Sequence, residues 1–126
     1  MENLIRVGKV SSVNHELGMI RVVYLDKGSS VTAELPVLSF NGEYKMPGID
    51  DLVLVTHLSN GSAAGIVLGT FWSKANRPGR AGEDIYHKEL GRKNGAAYFD
   101  FDEKTGHLTI RADSVEILTK SGSKTY

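Results

Sequence analysis

Short runs of alternating apolar and polar residues, each bounded by a turn, dominate this sequence. The clearest case is AAYFDFDEKTGHLTIRADSVEILT, residues 96–119, in which the alternation stops around Gly106 and then resumes. Such alternation is typical of strands with one buried and one solvated face. Because no window sustains the apolar spacing of an amphipathic helix, the sequence predicts an all-β protein.

The first part of the chain predicts five strands, over residues 5–13, 19–25, 31–38, 52–58 and 65–72. Turn signals separate them, including residues 26–29 and residues 59–62. Five short strands at this spacing predict a small barrel or sandwich. The residues predicted to fill its core are Val22, Leu35, Leu52, Leu54 and Val67.

Composition changes after Trp72, and this divides the chain into three predicted parts. Residues 1–72 form the first domain, and residues 73–94, with few large apolar side chains, form a linker or crossing segment. Residues 95–126 form a strand segment whose last residues, 121–126, have the composition of a flexible tail. Alternation places Phe99, Phe101, Leu108 and Ile110 on the hidden face of this segment, continued by Val115 and Ile117. It places Asp100, Asp102, Lys104, His107, Thr109 and Arg111 in solvent.

A lone two-stranded hairpin is marginally stable in water, so its apolar face needs a partner surface. Two arrangements supply one. The hairpin can fold back onto the first domain of its own chain, or three copies can bring the same face together around an axis. Burying four large side chains contributes roughly 2 kcal/mol each before entropy, which favours whichever arrangement covers them fully.

Charge and cysteine content remove several classes of function. The 15 basic residues balance 15 acidic residues, so the chain has no overall electrostatic attraction to nucleic acid or anionic lipid. The absence of cysteine excludes disulfides, thiolate catalysis and cysteine-ligated zinc. No apolar run is long enough to span a membrane as a helix, and the first residues lack the apolar core of a signal peptide, which predicts assembly in the cytoplasm.

No catalytic, cofactor or metal site is predicted. The four histidines, His15, His57, His87 and His107, include no His-x-His pair, and alternation points His107 outward. Asp50 and Asp51 are adjacent, and neighbouring side chains in an extended segment point in opposite directions. They therefore predict a turn before a strand rather than a pair of catalytic carboxylates.

Several stretches, taken in order, resemble one known family. Residues 8–10 with 19–22 and residues 33–38 resemble its first three strands. Residues 46–55, MPGIDDLVLV, resemble its Pro-x-x-Gly-Asp-x-Val entry into the fourth strand, with Asp50 where glycine is usual. Residues 65–69, GIVLG, resemble its G-x-V-L-G fifth strand. The family is the phage baseplate assembly protein V family, the central spikes of contractile tails.

This resemblance implies an oligosaccharide/oligonucleotide-binding (OB) fold over residues 1–72, followed from about residue 95 by a short intertwined trimeric β-prism or β-helix. It implies a structural homotrimer without enzymatic activity, located in the baseplate of a virion or tailocin. Such a spike caps the tail tube and pierces the target cell envelope on contraction. Its implied partners are baseplate hub and tail-tube proteins. We expect the contact surface to be the side of the barrel and its loops, with residues 41–46 as a candidate. The composition of residues 121–126 and the shortness of the strand segment leave two alternatives, a disordered end or a seat for a separate small tip protein.

The alternative is an OB-fold module that binds single-stranded nucleic acid or carbohydrate. Such modules stack bases on aromatic side chains within a basic groove. The aromatic candidates are Tyr24, Phe40, Tyr44, Phe71 and Trp72. Zero net charge weighs against this alternative, and no nucleic-acid partner is expected.

Overall fold

The computed structural model of the chain describes residues 4–58 and 64–126, and its architecture is all-β. The chain divides into an N-terminal unit, Met1–Ser73, and a C-terminal unit, Lys74–Tyr126. This boundary lies one residue beyond the predicted end of the first domain. The turn predicted at residues 59–62 lies outside the described residues. Within the described ranges, no helix is long and apolar enough to cross a membrane.

The N-terminal unit is one antiparallel sheet that closes on itself. Its described strands are β1 (Ile5–Asn14), β2 (Met19–Tyr24), β3 (Ser30–Val31), β4 (Leu35–Pro36), β5 (Leu52–His57) and β6 (Gly65–Gly69). The order across the sheet is β3-β2-β1-β5-β6, and β4 also pairs with β2. Just after β4, Val37 forms a parallel bridge with Val67 of β6. The chain from β4 to Val37 therefore connects β2, with which β4 pairs, to β6 at the far end of the strand order.

The third predicted strand, residues 31–38, is interrupted in the structure and forms β3 and β4 instead. Between them, the Thr32 N–H donates to the Val22 carbonyl at 2.8 Å, and the Thr32 hydroxyl accepts from the Val22 N–H at 3.0 Å. The Val22 N–H is thus bonded to a side-chain oxygen instead of a backbone carbonyl. Since side-chain hydrogen bonds of this kind compete with backbone pairing between strands, the strand is interrupted at Thr32.

The fifth predicted strand, residues 65–72, ends at Gly69, which adopts a φ of 126°. This conformation is open to glycine and strained for other residues. The strand therefore stops before Phe71 and Trp72.

The core of the N-terminal unit is made by eight buried side chains: Val10, Ile20, Val22, Tyr24, Leu35, Val53, Val55 and Val67. Three of the predicted core residues, Val22, Leu35 and Val67, are among them. The prediction for Leu52 and Leu54 is wrong: Leu52 is 41% exposed and Leu54 is half-buried. In β5 the inward positions belong to Val53 and Val55.

Pairing with β1 explains why β5 turns its valines inward. Gly8 lies directly opposite Val53, and residues opposite each other in an antiparallel pair share a face. Gly8 is buried beneath Val22 and Tyr24, and a Cβ at this position would lie 2.2 Å from Val22 Cγ1. This register places Val53 on the buried side with Gly8, and a shift of one residue would reverse the faces of the whole strand.

The C-terminal unit contains a three-stranded antiparallel sheet and a separate hairpin. The sheet has the order β7 (Ile85–Glu89), β8 (Tyr98–Asp102), β9 (His107–Arg111). The hairpin pairs β10 (Glu116–Thr119) with β11 (Gly122–Thr125). Two predictions are corrected here. The segment predicted as a linker, residues 73–94, contains β7, and the tail predicted as flexible contains β11.

Candidate functional site

One face of the three-stranded sheet is almost entirely apolar. Antiparallel register aligns its side chains in two rows across the three strands. The first row is Tyr86, Phe101 and Leu108, and the second is Lys88, Phe99 and Ile110. The four residues predicted for the hidden face of the hairpin therefore do lie on one face, and β7 adds Tyr86 and Lys88 to them. This set of six is called the apolar face below.

The apolar side chains of this face are exposed in the single chain. The exposed fractions are 63% for Tyr86, 41% for Phe99, 37% for Phe101, 59% for Leu108 and 51% for Ile110. Taking roughly 200 Å² for one fully exposed large side chain, the five together expose about 500 Å². A contiguous patch of this size is within the range of the largest apolar patch on a typical monomer, and such patches are often functional.

The structure places the two remaining predicted trimer residues elsewhere. Val115 immediately precedes β10, and Ile117 lies within it, so both belong to the hairpin and neither belongs to the three-stranded sheet. Val115 is half-buried and exchanges two backbone hydrogen bonds with Tyr126, whereas Ile117 is exposed. All eight residues of β10 and β11 are exposed. The hairpin thus also lacks an apolar partner within the described chain.

The opposite face of the three-stranded sheet is polar, and one prediction fails there. Asp100 was expected in solvent, but it is only 6% exposed. Arg80, from the segment that precedes β7, donates from Nε to Asp100 Oδ2 at 2.6 Å and lies 3.9 Å from Asp102. Because this contact joins residues twenty positions apart, the alternation of the strand carries no signal for it.

His87 lies at the centre of this polar face and bridges two carboxylates. Its Nδ1 is 2.6 Å from Asp100 Oδ2, and its Nε2 is 2.5 Å from Glu89 Oε2. The ring packs against Tyr98 with 4.8 Å between ring centroids. The other Glu89 oxygen accepts from the Gly95 N–H at 2.9 Å. The His87 and Asp100 side chains are 8% exposed, and that of Glu89 is 15% exposed.

This arrangement perturbs both partners in the direction that favours their charged forms. The hydrogen bond to Glu89, reinforced by Asp100, raises the pKa of His87 above its ordinary value of 6.5, against the opposing effect of burial. The hydrogen bond from His87, together with Arg80, lowers the pKa of Asp100 below its ordinary value of 3.8. The contacts therefore favour the protonated form of His87 and the ionised form of Asp100.

A second buried polar contact lies in the N-terminal unit. The Tyr24 hydroxyl is 2.6 Å from His57 Nε2, and His57 Nδ1 is 3.3 Å from the Ala64 carbonyl. Since a carbonyl only accepts, Nδ1 donates to it, and Nε2 accepts from Tyr24. Arg6 stacks on the Tyr24 ring with Cζ 3.5 Å from its centroid. Burial raises the pKa of Tyr24, opposed by the Arg6 charge.

This contact changes the set of aromatic residues available for stacking a ligand. Tyr24 is 2% exposed, so the prediction that it is a stacking candidate is wrong. Phe40, Tyr44, Phe71 and Trp72 are exposed. Tyr44 also contacts His15, with its hydroxyl 2.9 Å from Nδ1.

The described residues contain no cluster of three or more histidine and carboxylate side chains arranged to hold a metal ion. Asp51 accepts from the Gly48 N–H at 2.8 Å and closes the turn before β5. This is the turn that the adjacent aspartates predict.

The chain was compared with models of known protein families and with curated proteins. No family model matches it, and no curated protein matches it.

Proposed function

We propose that this chain is a structural subunit that forms a homotrimer through the apolar face, and that the trimer is the central spike of a contractile-tail baseplate. In this proposal the spike caps the tail tube and pierces the target cell envelope on contraction. It works by geometry, without enzymatic activity. The apolar face is the observation that carries the proposal.

The apolar face supplies part of the area that a three-chain interface needs. Three copies that each bury about 500 Å² of apolar surface bury about 1,500 Å² together, or about 500 Å² for each of the three pairwise contacts, so the rest of a standard interface has to come from other surfaces of the chain. A threefold axis lets every copy present the same face inward, with no open end at which further copies add. Lys88, at the edge of the second row, can extend its amine to solvent while its alkyl stem covers apolar surface.

The connectivity of the N-terminal unit supports an OB fold. In this unit β1 pairs with β2 and β5, β5 pairs with β6, and Val37 reaches β6 in parallel. The OB type is a five-stranded, partly open Greek-key barrel, and this connectivity is compatible with it. Here the third barrel strand is divided into β3 and β4.

Backbone conformation supports the resemblance to the spike family at two motifs. Asp50 stands where that family usually has glycine, and its φ is 73°, a left-handed conformation that glycine adopts without strain. In GIVLG, Gly69 also has positive φ, and a Cβ on Gly65 would lie 2.9 Å from the Thr56 carbonyl. Each position thus has a physical reason to favour glycine.

The proposed partners follow from the spike role. The N-terminal units contact hub and tail-tube proteins, with the loop at residues 41–46 as the contact. The hairpin of β10 and β11 forms the distal end, on which a separate small tip protein sits. The assembled trimer is located in the baseplate of a virion or tailocin.

Deletion and complementation in the source genome test the spike role. Deleting the coding sequence is expected to abolish killing or infection by the contractile particle and to remove the central density from its baseplate. The wild-type chain and a Gly91→Ala variant restore both, whereas Phe101→Asp restores neither. Gly91 serves as the control because nothing lies within 4 Å of an added Cβ. Normal particles without the chain would overturn the proposal.

The second candidate function, a nucleic-acid or carbohydrate module, is favoured by the exposed aromatic side chains Phe40, Tyr44 and Trp72. Binding of a fluorescent single-stranded oligonucleotide, measured by anisotropy at low and high salt, separates the two functions. Salt-sensitive binding that Trp72→Ala abolishes would support the module. We expect no binding at either salt concentration.

A further inference from the structure

We propose that the outer face of strands β1 and β5, in the N-terminal unit, is a second contact surface between copies of this chain in the homotrimer. The apolar face of the C-terminal unit then supplies one part of the interface between copies, and the outer face of β1 and β5 supplies another. This inference rests on the proposed trimer. It adds to that proposal a further surface and the partner that covers it, a second copy of the chain.

Apolar side chains form a patch on the outside of the N-terminal sheet. In β1, Ile5 and Val7 alternate with residues of the inner face, and they are 65% and 51% exposed. Val7 lies directly opposite Leu54 of β5, and opposite residues of an antiparallel pair share a face. On β5, Leu52 is 41% exposed and Leu54 is half-buried. These four residues, Ile5, Val7, Leu52 and Leu54, are called the outer patch below.

Strand β5 is apolar on both of its faces. Its inner positions, Val53 and Val55, belong to the buried core, and its outer positions are the leucines of the outer patch. A strand with one face in water typically alternates apolar and polar residues, whereas a continuous apolar run is typical of a strand that is covered on both faces. The sequence of β5 therefore indicates that a further surface covers the outer patch.

The surroundings of the outer patch are polar. Lys9 lies opposite Leu52, and Thr56 lies opposite Ile5, so these two polar residues occupy diagonally opposite corners of the patch. The alkyl stem of a lysine can cover apolar surface while its amine stays in water. An apolar centre with a polar rim is the composition of a protein–protein interface.

The area that the trimer needs favours a second copy as the occupant. Protein interfaces are about 60% apolar, so the about 500 Å² that the apolar face gives to each pairwise contact corresponds to a total of about 800 Å², the size of a crystal-packing contact. At roughly 200 Å² for a fully exposed large residue, Ile5, Val7 and Leu52 expose about 300 Å² more in each copy. With the outer patch, each pairwise contact reaches a total of about 1,300 Å², which is within the range of specific, stable interfaces.

Thiol labelling of the full-length chain tests the outer patch, because the chain contains no cysteine. Val7→Cys places one thiol in the patch and keeps a small apolar side chain there. Its matched control is Ser12→Cys, which places one thiol at an exposed position of the same strand outside the patch. Both variants are treated with a maleimide under conditions in which sedimentation shows trimers. The thiol at residue 7 is expected to react at least about tenfold more slowly than the thiol at residue 12, since a buried thiol is unreactive.

Adding Phe101→Asp to each variant removes the trimer and leaves the outer patch unaltered. The two thiols are then expected to react at similar rates. Leu52→Cys, on the other strand of the patch, repeats the comparison and keeps the test decisive if Val7→Cys does not fold.

Three results would overturn the inference, and they differ in what they mean for the proposed function. Rapid labelling at residue 7 in the trimer would leave the patch open to a different protein. Slow labelling at residue 7 in both the trimer and the single chain would mean that the patch is covered within one chain. In either case the trimer would stand. A wild-type chain that sediments as a single copy would overturn the proposed trimer and this inference together.

Discussion

Replacing Phe101 with aspartate removes the centre of the first row of the apolar face. Phe101 is 37% exposed in the single chain, and for a fully exposed area of roughly 200 Å² this leaves about 75 Å² for a partner to cover. At about 25 cal/mol per Å², the lost burial is about 2 kcal/mol per chain and about 6 kcal/mol for three chains. The association constant of the trimer should therefore fall by about four orders of magnitude, before the added cost of burying three carboxylates.

Sedimentation velocity over a concentration series measures this loss. Phe101→Asp is expected to sediment as single chains at concentrations at which the wild type is trimeric. The N-terminal unit should keep its fold, because its buried core lies wholly between Val10 and Val67. Phe40→Asp is the matched control, since Phe40 is an exposed phenylalanine of the N-terminal unit. A Phe101→Asp variant that stays trimeric would refute the assignment of this face to the interface.

Three further substitutions test the remaining account by denaturant unfolding. Gly8→Ala should lower the unfolding free energy of the N-terminal unit by about 1–3 kcal/mol, because the new Cβ overlaps buried side chains. Gly91→Ala, in the C-terminal unit, should leave the stability of either unit nearly unchanged, because nothing lies within 4 Å of the added Cβ. Tyr24→Phe should cost about 1–3 kcal/mol by leaving buried His57 Nε2 without its donor, and Tyr44→Phe on the surface should cost far less. Asp100→Asn should destabilise the C-terminal unit at neutral pH. Because the pKa of Asp100 is lowered in the folded state, its contribution is present above 3.8, so the difference from wild type should vanish as pH falls through the folded pKa. A difference that persists unchanged at low pH would contradict the ion pair.

Alternation in the sequence predicted the apolar face well because each strand there has one apolar side. Phe99 and Phe101 alternate with aspartates, and Leu108 and Ile110 alternate with polar residues. Strand β7 was not predicted, because its sequence, IYHKE, has polar side chains on both faces and shows no apolar alternation. Its Tyr86 joins the apolar face only through pairing with Phe101.

The remaining errors arise where pairing, rather than local pattern, sets the orientation. The run LVLVTH in β5 is apolar at successive positions, so periodicity cannot tell Leu54 from Val55. The register with β1 decides, because it places Val53 opposite the buried position Gly8. Asp100 was placed in solvent by alternation, and its burial depends on Arg80, which no local pattern connects to it.

The mass of the wild-type chain in solution tests the central claim most directly. Sedimentation equilibrium at micromolar concentration is expected to give three times the chain mass of 13.7 kDa, with no dependence on concentration in that range. A folded species of 13.7 kDa under the same conditions would mean that the apolar face is covered without partner copies, and would contradict the trimer.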